Sequence, residues 1–508
     1  MGSPRIVAAD CDDAWLSDIR WVMQRPPRGQ TGKRTVQALV AIPSRLPKRS
    51  LASDTALRSP LVRAWAASNY RAQFALAEIL FASFQLWQAT TPPVLTWQDS
   101  KNYEAIGSLS LWSSRFWFGS RPPLTPLLWE FTGTPRGFLI GQTLVSVGAW
   151  GFLAWTIGNV FPLGWRRLVG SLAILAFATT MPIALWDRSV LSESLALSGL
   201  ALLFATAIRL AQRPSIGRAG ALVASAFWCT LARDTDVVLP AVLGLLLLVF
   251  GALYRKNGHL RLILVTAMSL LLAAGFCLAT VLESGRDALN ATDNMYVRVF
   301  PYPSTVAWFA SHGMPQANSI DKLARTQAPA PSGTAKTVFP DLKGPTFARL
   351  RTWINHHGAT TYALWLFLHP WNAVVGPLQK PERTFNNAHG NIEAYAAQNR
   401  VTSGLTPVLW PPWIWLVAEI VVALAIALER NVQMNRVVQV CVVLGLLGVV
   451  EMLVAWNGDG QEVTRHTIEG LAEFRLGVLI TLLHAVLVRT PRHPKPNDEV
   501  VGTSLIAG

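Results

Sequence analysis

Long apolar stretches recur along this chain, and short polar connections separate them. A helix needs about 20 mostly apolar residues to cross the hydrocarbon core of a bilayer. Ten stretches have this character, with approximate bounds at 72–91, 137–160, 168–186, 190–211, 219–233, 237–254, 262–282, 408–428, 437–455 and 474–489. The pattern predicts an all-α polytopic membrane protein with about ten transmembrane helices.

A long polar insertion separates the seventh apolar stretch from the eighth. Residues 326–336 are rich in Ala, Pro, Thr and Ser, which indicates irregular structure, whereas 347–367 is aromatic and compatible with a helix. We therefore expect a helical and irregular exterior subdomain. The predicted organisation is a cytoplasmic basic tail at 1–71, a membrane core at 72–282 with a first exterior loop at 92–136, the exterior subdomain at 283–407, C-terminal transmembrane helices at 408–489 and a cytoplasmic tail at 490–508.

The composition agrees with a membrane protein and changes the interpretation of the charge. Of the 508 residues, 51% are hydrophobic and only 14% are charged, which lies outside the range of soluble globular domains. A net charge of +15 would suggest nucleic acid in a soluble protein. Here the basic residues concentrate in the tail and in short connections, so we expect them to report orientation in the bilayer, and we expect no nucleic-acid partner.

The basic connections predict which face of the membrane is cytoplasmic. No apolar core precedes Phe74, so we expect no cleavable signal peptide and a cytoplasmic amino-terminal tail. Alternate connections are then short, basic and cytoplasmic. They carry Arg166 and Arg167; Arg209, Arg213 and Arg218; Arg255, Lys256 and Arg261; Arg430 and Arg436; and Arg489 and Arg492. We expect an inner (plasma) membrane protein with both termini in the cytoplasm and an exterior working face that holds most acidic and histidine residues outside the spans.

The first exterior loop holds the strongest candidate for chemistry. Asp99 follows the first apolar stretch in a run of polar residues, where a solvated carboxylate and a catalytic base are both consistent with the sequence. Tyr103 comes next, followed by an amphipathic aromatic segment at 109–118 that can lie along a bilayer surface. Arg121 precedes two prolines, and its guanidinium could hold a lipid phosphate or anchor the segment at the interface.

Three further exterior connections carry charged residues that could complete a site. Asp187 and Glu193 flank a span boundary and could face one pocket. Pairing of Asp187 with the arginine that follows it, and a place for Glu193 in the first turn of a helix, would explain both residues equally well. Arg233 interrupts apolar sequence, and we favour a pocket-facing side chain. Arg465 and His466 could neutralise a phosphate leaving group.

The sequence contains no pattern that requires a metal or a nucleotide cofactor. The histidines lack zinc-ligand spacing, so we assign no metal ligands, although the exterior carboxylates leave a divalent cation open. The four cysteines are far apart and support neither a disulfide framework nor a CxxC site. No dinucleotide or P-loop fingerprint occurs in a strand-to-helix context, and a GxSxG elbow is absent.

At these residues the chain resembles the polytopic GT-C glycosyltransferases. The resemblance covers about the first 280 residues and rests on four short motifs that occur in order. They are Gln98-Asp99-Ser100 with Tyr103, Arg121-Pro122-Pro123 to Pro126, Leu191-Ser192-Glu193-Ser194, and Leu231-Ala232-Arg233 to Pro240. The later segment Glu462-Val463-Thr464-Arg465-His466 is similar to the closing segment of some actinobacterial members.

The resemblance implies a bacterial cell-envelope enzyme that uses a polyprenyl-phosphate-linked sugar. The sugar would pass, with inversion, to a glycan, lipid or protein acceptor outside the cytoplasmic membrane. Asp99 matches the acidic residue that serves as general base in the family. From the charges and placement of the exterior connections, we expect the substrate-binding residues to be Tyr103, Arg121, Asp187, Glu193, Arg233, Arg465 and His466. Many members carry paired acids at the first position, whereas this chain has Ser100 there and its next acid at Glu104. The second acid and any metal requirement therefore stay open.

Two other functions remain consistent with the sequence. A transporter or lipid flippase would carry charges in the middle of its spans or broken helices. Here most charges lie near span ends, with Glu78 and Glu451 as exceptions, which favours the enzyme. A non-catalytic GT-C-like relative that assists envelope assembly would carry the same motifs.

Overall fold

Helices make up the regular structure of the described part of the chain. A computed structural model describes residues 70–91, 94–161, 164–253, 259–320, 344–379, 405–410, 420, 436–458 and 463–488. Within these ranges no strand forms, apart from an isolated parallel bridge between Leu95 and Ser189. The all-α class predicted from the sequence is confirmed for these residues.

The first half of the described chain contains ten helices, and five of them have at least 16 residues. They are α1 (Tyr70–Thr90), α2 (Gln98–Gly107), α3 (Ser114–Trp117), α4 (Leu124–Thr132), α5 (Pro135–Gly158), α6 (Trp165–Ala178), α7 (Met181–Ala184), α8 (Glu193–Gln212), α9 (Ile216–Ala232) and α10 (Val238–Leu253). Short 3-10 turns at Trp186–Arg188 and Asp234–Val237 precede α8 and α10.

The second half begins with another long helix and ends with two more. Its helices are α11 (Leu260–Ser284), α12 (Arg286–Asn294), α13 (Pro303–Ser311), α14 (Ala348–Trp353), α15 (Ala359–Leu368), α16 (Pro370–Gln379), α17 (Thr406–Leu409), α18 (Arg436–Gly458), α19 (Val463–His466) and α20 (Ile468–Val488). A 3-10 turn at Pro345–Phe347 and π-helical turns at Met295–Val299 and Ile354–Gly358 complete the set.

The expected number of ten spans is wrong for the described residues. Six helices there are long and apolar enough to cross a membrane: Pro135–Gly158, Glu193–Gln212, Asp234–Leu253, Leu260–Ser284, Arg436–Gly458 and Ile468–Val488. A seventh is reached if α6 and the bent segment Met181–Arg188, inclined at 56°, form one broken span. Six or seven such helices are the architecture of a multi-pass membrane protein whose apolar helices contact a lipid bilayer.

Two of the ten predicted spans form helices that are too polar or too short to be counted among the six. The first predicted span forms α1, but Arg71, Glu78 and three glutamines make it less apolar than the six. Its Gln85 and Gln88 are buried while Leu76 and Ile79 are exposed, so its apolar face points outward. The fifth predicted span forms α9, which has only 17 residues.

Several predicted parts lie outside the described residues. These include nearly all of the amino-terminal tail at 1–71, the carboxy-terminal tail at 490–508 and most of the predicted span at 408–428. The irregular stretch expected at 326–336 also lies outside them.

The long helices form a bundle around one apolar core. α5 packs against α1, α6 and α8, and α8 packs in turn against α9 and α18. α10 and α11 pair with each other and leave large apolar side chains exposed, among them Phe250, Leu253, Leu272 and Leu282. Exposed apolar side chains on long helices fit contact with lipid chains.

The backbones of α18 and α20 approach each other closely. A Cβ atom placed on Gly448 would lie 2.4 Å from the carbonyl oxygen of Gly470, and one placed on Gly470 would lie 2.5 Å from the carbonyl oxygen of Gly448. Small residues at such a crossing let two backbones touch, which is a frequent way to join helices in membranes. The crossing holds α19 and the start of α20 beside α8.

The described residues of the insertion fold as helices with a second apolar core. Met295, Phe300, Phe309 and Leu350 are among its buried side chains. This helical unit rests on the end of α18, where the Asn294 side-chain amide donates to the carbonyl oxygen of Gly458 at 3.0 Å.

We expect Gly448→Ala to destabilise the bundle, because the added methyl group meets backbone rather than a movable side chain. The expected loss is about 1–3 kcal/mol in the free energy of unfolding. Thermal unfolding of the purified protein in detergent measures it. Gly275→Ala in α11 is the matched control, since a Cβ atom there meets no atom within 4 Å. Equal melting temperatures for the two variants would contradict the close crossing.

Candidate functional site

The backbone around Asp99 is fixed by a distant segment of the chain. The backbone N–H of Leu95 donates to the carbonyl oxygen of Arg188 at 3.2 Å, and that of Val190 donates back to Leu95 at 3.0 Å. Ser100 accepts from the Trp97 N–H at 2.9 Å and donates to the carbonyl oxygen of Val190 at 2.7 Å. These bonds place the first turn of α2, with Asp99, beside the start of α8.

Asp99 lies between two guanidinium groups. One carboxylate oxygen forms a short ion pair with Nη2 of Arg121, and the other lies 3.0 Å from Nη1 of Arg465. The Asp99 side chain is 18% exposed, so it is held firmly yet remains accessible. Arg465 follows Asp99 by 366 residues, and α19 carries it into the site.

Arg465 also pairs with a second carboxylate, Glu193. Its Nε donates to Oε1 of Glu193 in the first turn of α8. Glu193 is fully buried, and a buried carboxylate is costly unless a cation and hydrogen bonds compensate it. One guanidinium therefore links the first loop, the start of α8 and the C-terminal segment.

A second arginine extends the same network. Arg233 donates to Oε1 of Glu469 at 2.7 Å, and its other terminal nitrogen lies 2.5 Å from Nδ1 of His466. Burial alone would lower the pKa of the Arg233 guanidinium, but the carboxylates of Glu469 and Glu193 raise that pKa above its ordinary value. Arg233 is therefore a fixed positive charge beside Arg465.

Tyr103 lies one helical turn after Asp99 and is buried against α8. Its hydroxyl donates to the Ser192 hydroxyl at 3.3 Å. Burial raises the pKa of Tyr103, and the neighbouring Glu193 carboxylate raises it further. The phenol stays protonated at neutral pH and can donate a hydrogen bond.

Asp187 occupies a different position from the other predicted residues. Its carboxylate accepts hydrogen bonds from Ser146 at 3.1 Å and from Ser194 at 2.5 Å. Ser194 follows Glu193 in α8, so Asp187 fixes the start of that helix. No ion pair of the described residues joins Asp187 to the arginines of the site, and the suggested pairing with Arg188 is not among its contacts. The other seven predicted residues lie together.

Arg286 is a site residue that the sequence did not single out. It pairs with Asp234 at 2.9 Å and donates to the carbonyl oxygens of Gly119 at 3.0 Å and Arg121 at 3.1 Å. These bonds hold the backbone from which the Arg121 side chain reaches Asp99. Nothing in the local sequence connects Arg286 with residues 165 positions earlier.

A group of buried acids lies behind Arg233. Carboxylate oxygens of Asp236, Glu451 and Glu469 lie within 4.8 Å of one another, and the group joins the 3-10 turn before α10 to α18 and α20. Glu451 lies within hydrogen-bond range of Glu473 and Asp236, and Glu469 within range of Asp236, so these buried acids contact one another. Among the described residues, no donor outside the acidic group reaches either oxygen of Glu451, either oxygen of Glu473 or Oε2 of Glu469. The sequence analysis did not single out these acids, and the four-residue spacing of Glu469 and Glu473 in an apolar helix is the signal that could have placed two of them on one face.

This acidic group fits a hard divalent cation better than any other described set. Its oxygen spacing and carboxylate chemistry suit Mg²⁺, Mn²⁺ or Ca²⁺, and such a cation would offset the charge of acids that otherwise contact mainly one another. A bound cation would neutralise these acids and support Glu469, which positions Arg233.

No protein-family model matches the chain, and no curated protein matches its sequence.

Arg465→Gln should be more destabilising than Arg121→Gln. The first change leaves the buried Glu193 carboxylate without its nearest guanidinium, and breaking such a pair costs about 3–5 kcal/mol. The second removes a side chain that is 32% exposed, and Asp99 keeps Arg465. Unfolding in detergent measures both variants, with Arg115→Gln, an exposed arginine, as the control.

Adding Glu193→Gln to Arg465→Gln should recover part of the loss, because the double variant has no buried charge left without a partner. Additive losses, or equal losses from Arg465→Gln and Arg121→Gln, would refute the shared guanidinium.

Proposed function

We propose that the chain is a GT-C-type membrane glycosyltransferase that moves a sugar from a polyprenyl-phosphate donor to an envelope acceptor. The observation that carries the proposal is the position of Asp99, a partly exposed carboxylate held between Arg121 and Arg465. A candidate base and candidate phosphate-binding cations therefore occupy one place. The residues that carry the family resemblance are the ones that meet there.

The proposed reaction is a single displacement. Asp99 accepts the proton of an acceptor hydroxyl while that oxygen forms a bond to the anomeric carbon. The bond between the anomeric carbon and the donor phosphate breaks, and the lipid phosphate leaves with the bonding electrons. No covalent enzyme intermediate forms, and the anomeric configuration inverts.

The arginines would stabilise the charge that moves during this step. Asp99 loses one negative charge when it takes the proton, and the departing phosphate gains one. The guanidiniums that pair with Asp99 are then available to the phosphate, whose oxygens they match bidentately. Arg121 is the more exposed of the two, whereas Arg465 is also held by Glu193.

The surroundings of the site suit a lipid-linked donor. The segment between α2 and α4 exposes large aromatic side chains, with Trp112 97% exposed and Trp117 and Phe118 also accessible. Exposed aromatic residues at the end of membrane helices favour the headgroup region of a bilayer. A donor whose phosphate lies at that depth would reach Arg121 while its chain stays in the lipid.

One observation favours a second candidate function, ion-coupled transport. The buried acids Asp236, Glu451 and Glu469 belong to segments long and apolar enough to span a membrane, and α6 with Met181–Arg188 has the bend of a broken span. Buried intramembrane carboxylates and broken helices are features of transporters. Catalysis in detergent separates the two functions, because transport needs two sealed compartments and glycosyl transfer needs none.

Asp99→Asn should abolish sugar transfer without unfolding the protein. The amide keeps the shape of the side chain but cannot accept the acceptor proton, so we expect a rate at least about 100-fold lower. The assay follows radiolabelled sugar from a panel of polyprenyl-phosphate donors to a membrane-extract acceptor, with the purified chain in detergent. Glu104→Gln is the matched control, since Glu104 is exposed on the same helix.

If Asp99→Asn keeps the melting temperature of the wild type but loses sugar transfer, the result supports Asp99 as the general base. Undiminished transfer by Asp99→Asn would refute that role. Absence of transfer by the wild-type chain in detergent, together with ion-dependent lipid or solute movement in sealed vesicles, would support the transporter instead.

A further inference from the structure

Four arginines line one pocket at the opposite end of α8 from Glu193. The cavity is about 380 Å³ and is lined by Arg167, Arg209, Arg213 and Arg218, together with Trp155 and Asn159. From Glu193 to Arg209 the helix rises about 24 Å, close to the thickness of a bilayer core. We call this cavity the arginine pocket; it shares no residue with the Asp99 site.

The arginines are held in place by groups that leave their charge uncompensated. Nη1 of Arg218 donates to the carbonyl oxygens of Arg209 and Arg213 at 2.9 and 2.8 Å, and so caps the end of α8. The Arg167 guanidinium lies 5.6 Å from the ring centre of Tyr70, and that of Arg209 lies 5.1 Å from that of Phe152. Carbonyl oxygens and ring faces orient a guanidinium without cancelling its positive charge.

No carboxylate lines the pocket, and none of its four arginines forms an ion pair within the described residues. Basic residues near the ends of membrane helices are common and normally extend into water. Here four of them converge on one cavity, which concentrates positive potential. An anion with several oxygen acceptors is the ligand that such a site recognises.

We propose that the arginine pocket binds a phosphate group, presented by an anionic phospholipid headgroup or by a soluble phosphate compound. The planar, forked donors of arginine match phosphate oxygens. Both sources present the same chemistry, and the position at the end of the long helices, beside the Trp155 indole, favours the lipid. The site would anchor this end of the bundle in an anionic leaflet, independently of any reaction at Asp99.

The test uses the purified full chain in detergent and follows its thermal unfolding by tryptophan fluorescence. Dioleoyl phosphatidylglycerol, added in mixed micelles, should raise the melting temperature in a saturable way. Dioleoyl phosphatidylcholine, whose phosphate is offset by a cationic choline group, should raise it much less. Inorganic phosphate at matched ionic strength forms the soluble arm.

The double variant Arg209→Gln with Arg213→Gln should need at least about tenfold more phosphatidylglycerol for the same stabilisation. Arg261→Gln is the matched control, because Arg261 is an exposed basic residue in α11 that does not line the pocket. Arg121→Gln should titrate as wild type, which separates this site from the Asp99 site. If the double variant does not fold, Arg213→Gln alone, an exposed position, should still show weaker binding.

Equal stabilisation by inorganic phosphate and phosphatidylglycerol would support the phosphate site and assign it to a soluble ligand. Absence of stabilisation by both ligands would overturn the proposal. The proposal is also overturned if the Arg209 and Arg213 variants need no more phosphatidylglycerol than the wild type does, or if Arg121→Gln alone abolishes the stabilisation by phosphatidylglycerol.

Discussion

The structure depends on one shared guanidinium, that of Arg465. It lies between Asp99 in the first loop and Glu193, a fully buried carboxylate at the start of a long apolar helix. A carboxylate in that environment costs several kcal/mol unless a cation accompanies it. The cation comes from a segment 272 residues later in the chain, so the C-terminal helices must pack against α8 for the bundle to be stable. Both α18 and α20 pack against α8, and their close crossing joins them to each other.

The same constraint shapes the chemistry that the site could support. Around Asp99, Glu193 and Glu469, three arginines balance three carboxylates, with His466 beside Arg233. A network in which every charge has a partner holds its geometry but has no spare cation for an incoming phosphate. In the proposed reaction this balance is kept, because protonation of Asp99 releases guanidiniums as the phosphate gains charge. Rigid positioning by Arg286 and Arg233 would then serve catalysis by fixing donors in advance.

The features of this fold that follow from local physics are the ones that the sequence predicts. Hydropathy predicted the all-α class and the membrane helices, although averaged composition overstated their number: α1 hides polar residues on its inner face and α9 is short. The motifs named seven residues that lie together, from Asp99 to His466. Their pairing could not be predicted, since Asp99 and Arg465 are 366 residues apart and only long-range packing joins them. The same long-range packing brings Arg286 into the site and gathers Asp236, Glu451 and Glu469. Apart from the four-residue spacing of Glu469 and Glu473 in α20, no local sequence pattern marks these residues.

The two ends of α8 carry opposite arrangements of charge. At one end arginines are paired with acids, and at the other four arginines share a cavity with none. This asymmetry is consistent with a bundle whose faces meet different surroundings, with a reactive site at one face and an anchoring site at the other.

The central claim is a single displacement at Asp99, and the configuration of the product tests it most directly. The purified chain in detergent would be given a polyprenyl-phosphate sugar of known anomeric configuration and an acceptor extract, and the new glycosidic bond would be assigned by NMR. The account predicts transfer with inversion at the anomeric carbon. Retention of configuration, or no transfer from any donor of the panel, would contradict it.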